Sequence, residues 1–240
     1  MLVAYHLYLM IPFGLFHQRN PTLIAVAKKM GRSVSSLAMK LSNIASIDPT
    51  FRSTGRTGLK GASRADRQMW DEMSANWLAF VSEAKAAFDR LHLAKESETD
   101  ETDQTEDYTG ETRESTVSVR VGQHYFRKAV LSAYDFKCCI TGLAVPGLLV
   151  ASHILPWAEQ PEHRLNPRNG LCLNVLHDKA FDRKIISLDE DFRVIVSRTF
   201  KKSADPYFVS NVLEYEGKQI RLPEKFMPEQ AFLSVHREML

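Results

Sequence analysis

Residues 138–182 read CCITGLAVPGLLVASHILPWAEQPEHRLNPRNGLCLNVLHDKAFD, and three residues within them, His153, Asn169 and His177, decide what the rest of the chain must support. Leu148-Leu149-Val150-Ala151-Ser152 is a short apolar run bounded by the turn signal Pro146-Gly147, which suits a buried strand with His153 at its end. Asn169-Gly170 reads as a second turn signal, followed by the apolar run Leu171-Cys172-Leu173-Asn174-Val175-Leu176. His177 then opens a helix-like segment, HDKAFDRK. Strand, loop and helix thus present imidazole, carboxamide and imidazole in turn. An imidazole titrates near neutral pH, so it can take a proton from water or ligate a metal.

This pattern resembles the HNH endonuclease family, and more than three letters carry the resemblance. His153 is followed by Ile154 and Pro156, Asn169 by Gly170-Leu171, and His177 by Phe181-Asp182. The likeness covers roughly residues 117–240. It implies a ββα hairpin wrapped around one divalent ion, with Mg2+ the first choice and Mn2+ or another divalent ion as alternatives, and it implies hydrolysis of DNA phosphodiesters. By the resemblance His153 removes the proton of the attacking water, Asn169 bridges the two arms and orients that base, and His177 ligates the ion. Such an ion offsets charge developing on the phosphate and the leaving oxygen. Many members carry Asp or His just before the first His, where this chain has Ser152. A hydroxyl is a poor ligand beside a carboxylate, so the remaining oxygens come from phosphate, water, Asp178 or Asp182. Asp182 is the expected metal ligand, although five residues place it about 140° around an ideal helix from His177. The alternative is a DNA-binding or scaffolding protein with a degenerate, inactive HNH site, a reading that rests on the same Ser152.

Charge divides the chain further. Residues 1–94 hold twelve basic and six acidic residues, 95–116 two basic and nine acidic, and 117–240 seventeen basic and fourteen acidic. Two basic parts therefore flank an acidic stretch, a distribution compatible with double-stranded DNA as partner. The expected organisation is α+β: a helical, DNA-binding domain over 1–93, a flexible acidic linker over 94–117, and a ββα-metal nuclease domain with a C-terminal extension over 118–240. Three cysteines, Cys138, Cys139 and Cys172, form no CxxC pair. They read as small hydrophobes of a reduced, cytoplasmic protein, with no zinc site.

The opening MLVAYHLYLMIPFGLFHQ lacks a basic n-region and is broken by His6, Pro12 and Gly14, so it reads as a buried segment and not as a signal or membrane span. Asn20 and Pro21 start one helix that ends at Gly31, and Ser33 caps a second with apolar Val34, Leu37, Leu41 and Ile44. The pair looks like a helix-turn-helix that would present Arg32, Ser35, Ser36, Met39 and Lys40 to a groove. The loop that follows carries Arg52, Arg56, Lys60 and Arg64 among glycines, a composition suited to phosphates. Ser63 and Asp66 form a capping box for one long helix whose stripe of Trp70, Met73, Trp77, Phe80, Val81, Ala84, Phe88 and Leu91 is core or the seam of a homodimer. After the acidic stretch a strand, a helix and a further strand at Cys138 are expected, and Arg164 and Arg168 are candidate phosphate clamps. Two short strands flank Asp189-Glu190-Asp191, and QAFLSVHREML ends the chain as a helix. A role in restriction or phage defence completes the expectation.

Overall fold

A computed structural model describes residues 1–53, 61–91, 113–157 and 160–240, with 52, 53 and 113–121 described by backbone alone. Six helices come first: α1 Leu2–Met10, α2 Pro21–Lys29, α3 Val34–Ala45, α4 Pro49–Ser53, α5 Arg64–Ala75 and α6 Trp77–Asp89. After α7, Arg113–Ala133, follow β1 Leu149–His153, β2 Gly170–Asn174 and α8 Val175–Asp182. The chain then forms β3 Ile186–Leu188, β4 Val194–Val196, α9 Pro206–Asn211 and α10 Gln230–Glu238. Both sheets are two-stranded and antiparallel, β1 with β2 and β3 with β4. The fold is thus mixed helix and small sheet, as expected.

The opening segment is the centre of the helical part. Val3 to Leu9 are all buried, and α1 packs against α3, α6 and α7. A helix apolar on every side can only be accommodated in this way. The Asn20 carboxamide accepts from Thr22 N–H and Leu23 N–H, with Pro21 in the first turn; Ser33 accepts from Ser36 N–H. Gly31, at φ +63°, supplies the left-handed residue that ends α2.

Three expectations are corrected. The long helix is two, because Asn76 leaves helical geometry at φ −150°, ψ 86° and its side chain caps Ala79 N–H. An Asn that can satisfy an orphan amide competes with helix continuation. The strand expected after the acidic stretch is instead the helix α7, whose buried Tyr125, Phe126, Ala129, Val130 and Ala133 follow helical spacing. Cys138 lies in a turn and not in a strand: its N–H donates to Leu143 O, and Gly142 N–H closes onto Cys138 O.

The two ends of the chain interlock. Buried Lys225 donates from Nζ to the carbonyls of Tyr8, Leu9 and Ile11, the last turn of α1. Asp48 accepts from both the Tyr8 hydroxyl and Phe226 N–H, and the Ser132 hydroxyl on α7 donates to Leu9 O. Phe226 packs its ring against Tyr8, Trp70 and Trp77. One continuous core runs from Val3 to Leu233. The tryptophan stripe is therefore filled largely from within the chain.

Candidate active site

The β1–β2 hairpin pairs Leu149 with Asn174 and His153 with Gly170, and α8 follows β2 directly, so the order is ββα. Helix α7 covers the face on which Gly170 sits. A Cβ on Gly170 would lie 2.4 Å from Val130 Cγ2 and 2.8 Å from Phe126 Cζ. Gly170 has ordinary extended backbone, φ −133°, and Asn169 ends a short 3-10 turn, Pro167–Asn169. Asn169-Gly170 is therefore not the turn its letters suggest; glycine is required for close approach.

His153 ends β1 with its ring stacked on Phe126, centroids 3.8 Å apart, and Trp157 edge-on at 5.3 Å. Its Nε2 lies 3.0 Å from Arg164 O. A carbonyl can only accept, so Nε2 carries the proton and Nδ1 keeps its lone pair. Burial pushes the His153 pKa down to about 4, with the Arg164 carbonyl opposing only in part. The ring is thus neutral at pH 7.

Asn169, only 1% exposed, ties the loop to the strand end. Its Oδ1 accepts from Leu155 N–H at 2.8 Å, its Nδ2 donates to Leu155 O and His163 O, and its own carbonyl accepts from Ile154 N–H. All of these partners lie within two residues of His153 or on the loop that supplies Arg164.

His177 is 1% exposed in the first turn of α8. Asn174 Oδ1 accepts from His177 N–H at 2.8 Å and lies 3.1 Å from His177 Nδ1. Because the backbone N–H fixes the Asn174 atom as oxygen, Nδ1 must be the protonated nitrogen and Nε2 holds a lone pair. That Nε2 is buried without a hydrogen-bond partner, as is Ser152 Oγ. The Tyr215 ring packs edge-on against the imidazole, centroids 5.5 Å apart.

Cys138, fully buried, has its thiol beside the His177 imidazole. Burial raises the thiol pKa, but His177, the Thr141 hydroxyl and the amides of Thr141 and Ile140 outweigh it and bring the value down to about 7. No bond of ordinary geometry closes onto Nε2, so the two groups are neighbours and the imidazole stays unsatisfied. Cys139 and Cys172 show the opposite behaviour, burial raising both thiols, Cys172 to about 12.

Residues 138–189 match the family model described as HNH endonuclease. The chain carries an HNH endonuclease domain. No curated protein matches the chain. The HNH match begins at Cys138, so it includes the turn whose thiol meets His177, and it ends just beyond β3.

The other expected site residues are scattered. Asp182 is exposed at the end of α8, and among the described residues no three His, Cys, Asp or Glu come together as a metal-binding group. Arg32, Ser35 and Ser36 are exposed at the start of α3, whereas Lys40 contacts both carboxylate oxygens of buried Asp66 at 3.0 Å. The Arg52 side chain, Arg56 and Lys60 lie outside the described residues; Arg64 is exposed at the start of α5. Arg164 donates from Nε to Trp157 O and lies over the Trp157 ring, and Arg168 is 3.7 Å from Glu229. Sequence reasoning missed Phe126, Asn174, Cys138 and Tyr215 around the HNH histidines. Asn174 alone left a signal, three residues before His177, at helix-cap spacing.

Proposed function

We propose that the protein is a metal-dependent DNA endonuclease of restriction or phage defence, with His153 as general base, Asn169 as its brace and His177 as a ligand of the ion. The observation that carries this reading is the tautomer of His153. Arg164 O holds the proton on Nε2, so Nδ1 is left free to accept a proton from water at the strand end. Asn169 keeps the Arg164 loop and the His153 strand in register through both sides of its carboxamide. Phe126 fixes the ring plane by stacking.

The donor set fits a divalent ion with few protein ligands. His177 offers a lone pair held in place by Asn174, and the unsatisfied Ser152 hydroxyl stands where many HNH proteins have a stronger ligand. When bound, the ion supplies charge stabilisation for the phosphate and the leaving oxygen. Exposed Arg32, Ser35, Ser36 and Arg64, together with the basic loop that contains Arg52, Arg56 and Lys60, are the proposed contacts of the helical part with double-stranded DNA. The stretch 1–47 has no acidic residue and five basic ones, Arg19, Lys28, Lys29, Arg32 and Lys40, which supports this assignment. Lys40 is better placed as the partner of Asp66, and Arg164 and Arg168 reach phosphate only by leaving their present partners.

The test is incubation of the full chain with supercoiled plasmid, methylated and unmethylated, across a series of divalent ions. Nicking or linearisation that chelation abolishes is the expected result. Cleavage that survives thorough chelation would remove the metal from the mechanism. Tight DNA binding without cleavage under every ion would favour the degenerate-site alternative.

A further inference from the structure

We propose that the Cys138 thiolate is a ligand, with His177 Nε2, of the ion held at the HNH site, so that the centre prefers a thiophilic ion such as Zn2+, Co2+ or Mn2+ over a purely oxygen-seeking Mg2+. The proposal rests on the HNH reading for the place of the ion, and adds the ligand that Ser152 does not supply.

Three observations meet at this point. His177 presents a buried lone pair on Nε2 with no partner, although its other nitrogen is fully engaged by Asn174. Leaving such an atom unpaired costs about 1–3 kcal/mol, so a buried orphan calls for an occupant. The Cys138 sulfur lies beside that same ring. Around the sulfur, the Thr141 hydroxyl and the amides of Ile140 and Thr141 converge from a tight turn closed by Gly142 N–H on Cys138 O. Convergent donors on a sulfur stabilise a thiolate and are the outer support that metal–thiolate sites use. Gly142 takes φ +78°, which lets the turn close around the sulfur.

The alternatives offer less. Asp182 is exposed at the far end of α8, and Ser152 contributes a neutral hydroxyl. Cys139 and Cys172 are buried without the ring of donors that surrounds Cys138. With two protein ligands from a thiolate and an imidazole, the other coordination positions remain for water and phosphate, as a catalytic site requires. Binding is balanced by release of one proton: the Cys138 S–H bond breaks, its electron pair goes to the ion, and the proton leaves to solvent.

The experiment uses the full chain and Co2+ as probe. A thiolate-to-cobalt charge-transfer band in the near ultraviolet, appearing with one equivalent of Co2+ and released by chelator, is the expected result. The double variant Cys139→Ala/Cys172→Ala, in which Cys138 is the sole thiol, should keep the band; Cys138→Ser and His177→Ala should lose it. Should Cys138→Ser not fold, the double variant and the wild-type spectrum still decide the matter. Co2+ bound by calorimetry without the band, or a band lost in the double variant, would overturn the proposal. Plasmid cleavage with no such band would leave the nuclease reading standing and thiolate ligation refuted. The band without cleavage under any ion would do the reverse.

Discussion

At the scale of single residues, Asn169 is the side chain on which the arrangement of His153 depends. Replacing it by alanine leaves Leu155 N–H buried without its acceptor and frees Leu155 O and His163 O, a loss of about 1–3 kcal/mol. Chemical unfolding of Asn169→Ala should show that destabilisation, and DNA cleavage should fall further than the stability loss accounts for, because the Arg164 loop that fixes the His153 tautomer is released. A variant with normal cleavage would deny Asn169 this role. The depressed pKa of His153, about 4, makes a second residue-level prediction. The base is already neutral well below pH 7, so the single-turnover cleavage rate should not lose a base limb near 6.5 on acidification; a limb there that vanishes in a His153 variant would contradict the buried, carbonyl-bound ring. The identities of His153, Asn169 and His177 were legible in the sequence, since each is a polar residue with a family pattern around it. Their partners were not. Arg164 contributes a backbone carbonyl, which no side-chain pattern advertises, and Phe126 reads as ordinary helical core until the hairpin is laid against it.

At the scale of elements, the site depends on how closely β2 lies on α7. The close approach at Gly170 predicts that Gly170→Ala drives a methyl into Val130 and Phe126 and costs about 1–3 kcal/mol through overpacking. Thermal unfolding of the single variant and of Gly170→Ala/Val130→Ala tests it, with partial recovery expected in the double variant because the nearest atom, Val130 Cγ2, is removed. Absence of any effect would mean that the hairpin does not pack this tightly. The helices α2, α3 and α5, the strands β1 to β4 and the terminal helix were legible from caps and periodicity, because those signals are local. The break at Asn76 and the helical start of α7 were not. In the first, a single cap residue competes with a strong apolar stripe; in the second, alternating valines imitate a strand while the packing partner lies over a hundred residues away, at α1.

At the scale of the whole molecule, N-terminal helices and HNH region share one core, which separates this structure from a picture of two independent parts joined by an acidic stretch. Lys225→Met should leave the carbonyls of Tyr8, Leu9 and Ile11 buried without an ammonium and lower global stability by about 3 kcal/mol, read from urea unfolding. A fragment of residues 117–240 is expected to be poorly folded, not merely weak in binding, because Phe226 and Ser132 lose their partners. His6, His153 and His236 share a second whole-molecule property: burial is the leading cause that lowers each from 6.5 to about 4. The unfolded chain therefore binds more protons than the folded one between these values. Their contribution is fully present above 6.5 and is lost as pH falls toward 4, with a slope approaching about 1.4 kcal/mol per pH unit for each histidine. Urea midpoints measured across that range should fall steadily; a flat profile would contradict neutral burial. The most direct test of the central claim is the single-turnover cleavage rate of His153→Ala beside its affinity for the same DNA. Loss of a general base predicts a rate about 100- to 10,000-fold lower at nearly unchanged affinity, whereas a variant that binds DNA and retains most of its cleavage rate would remove His153 from the chemistry.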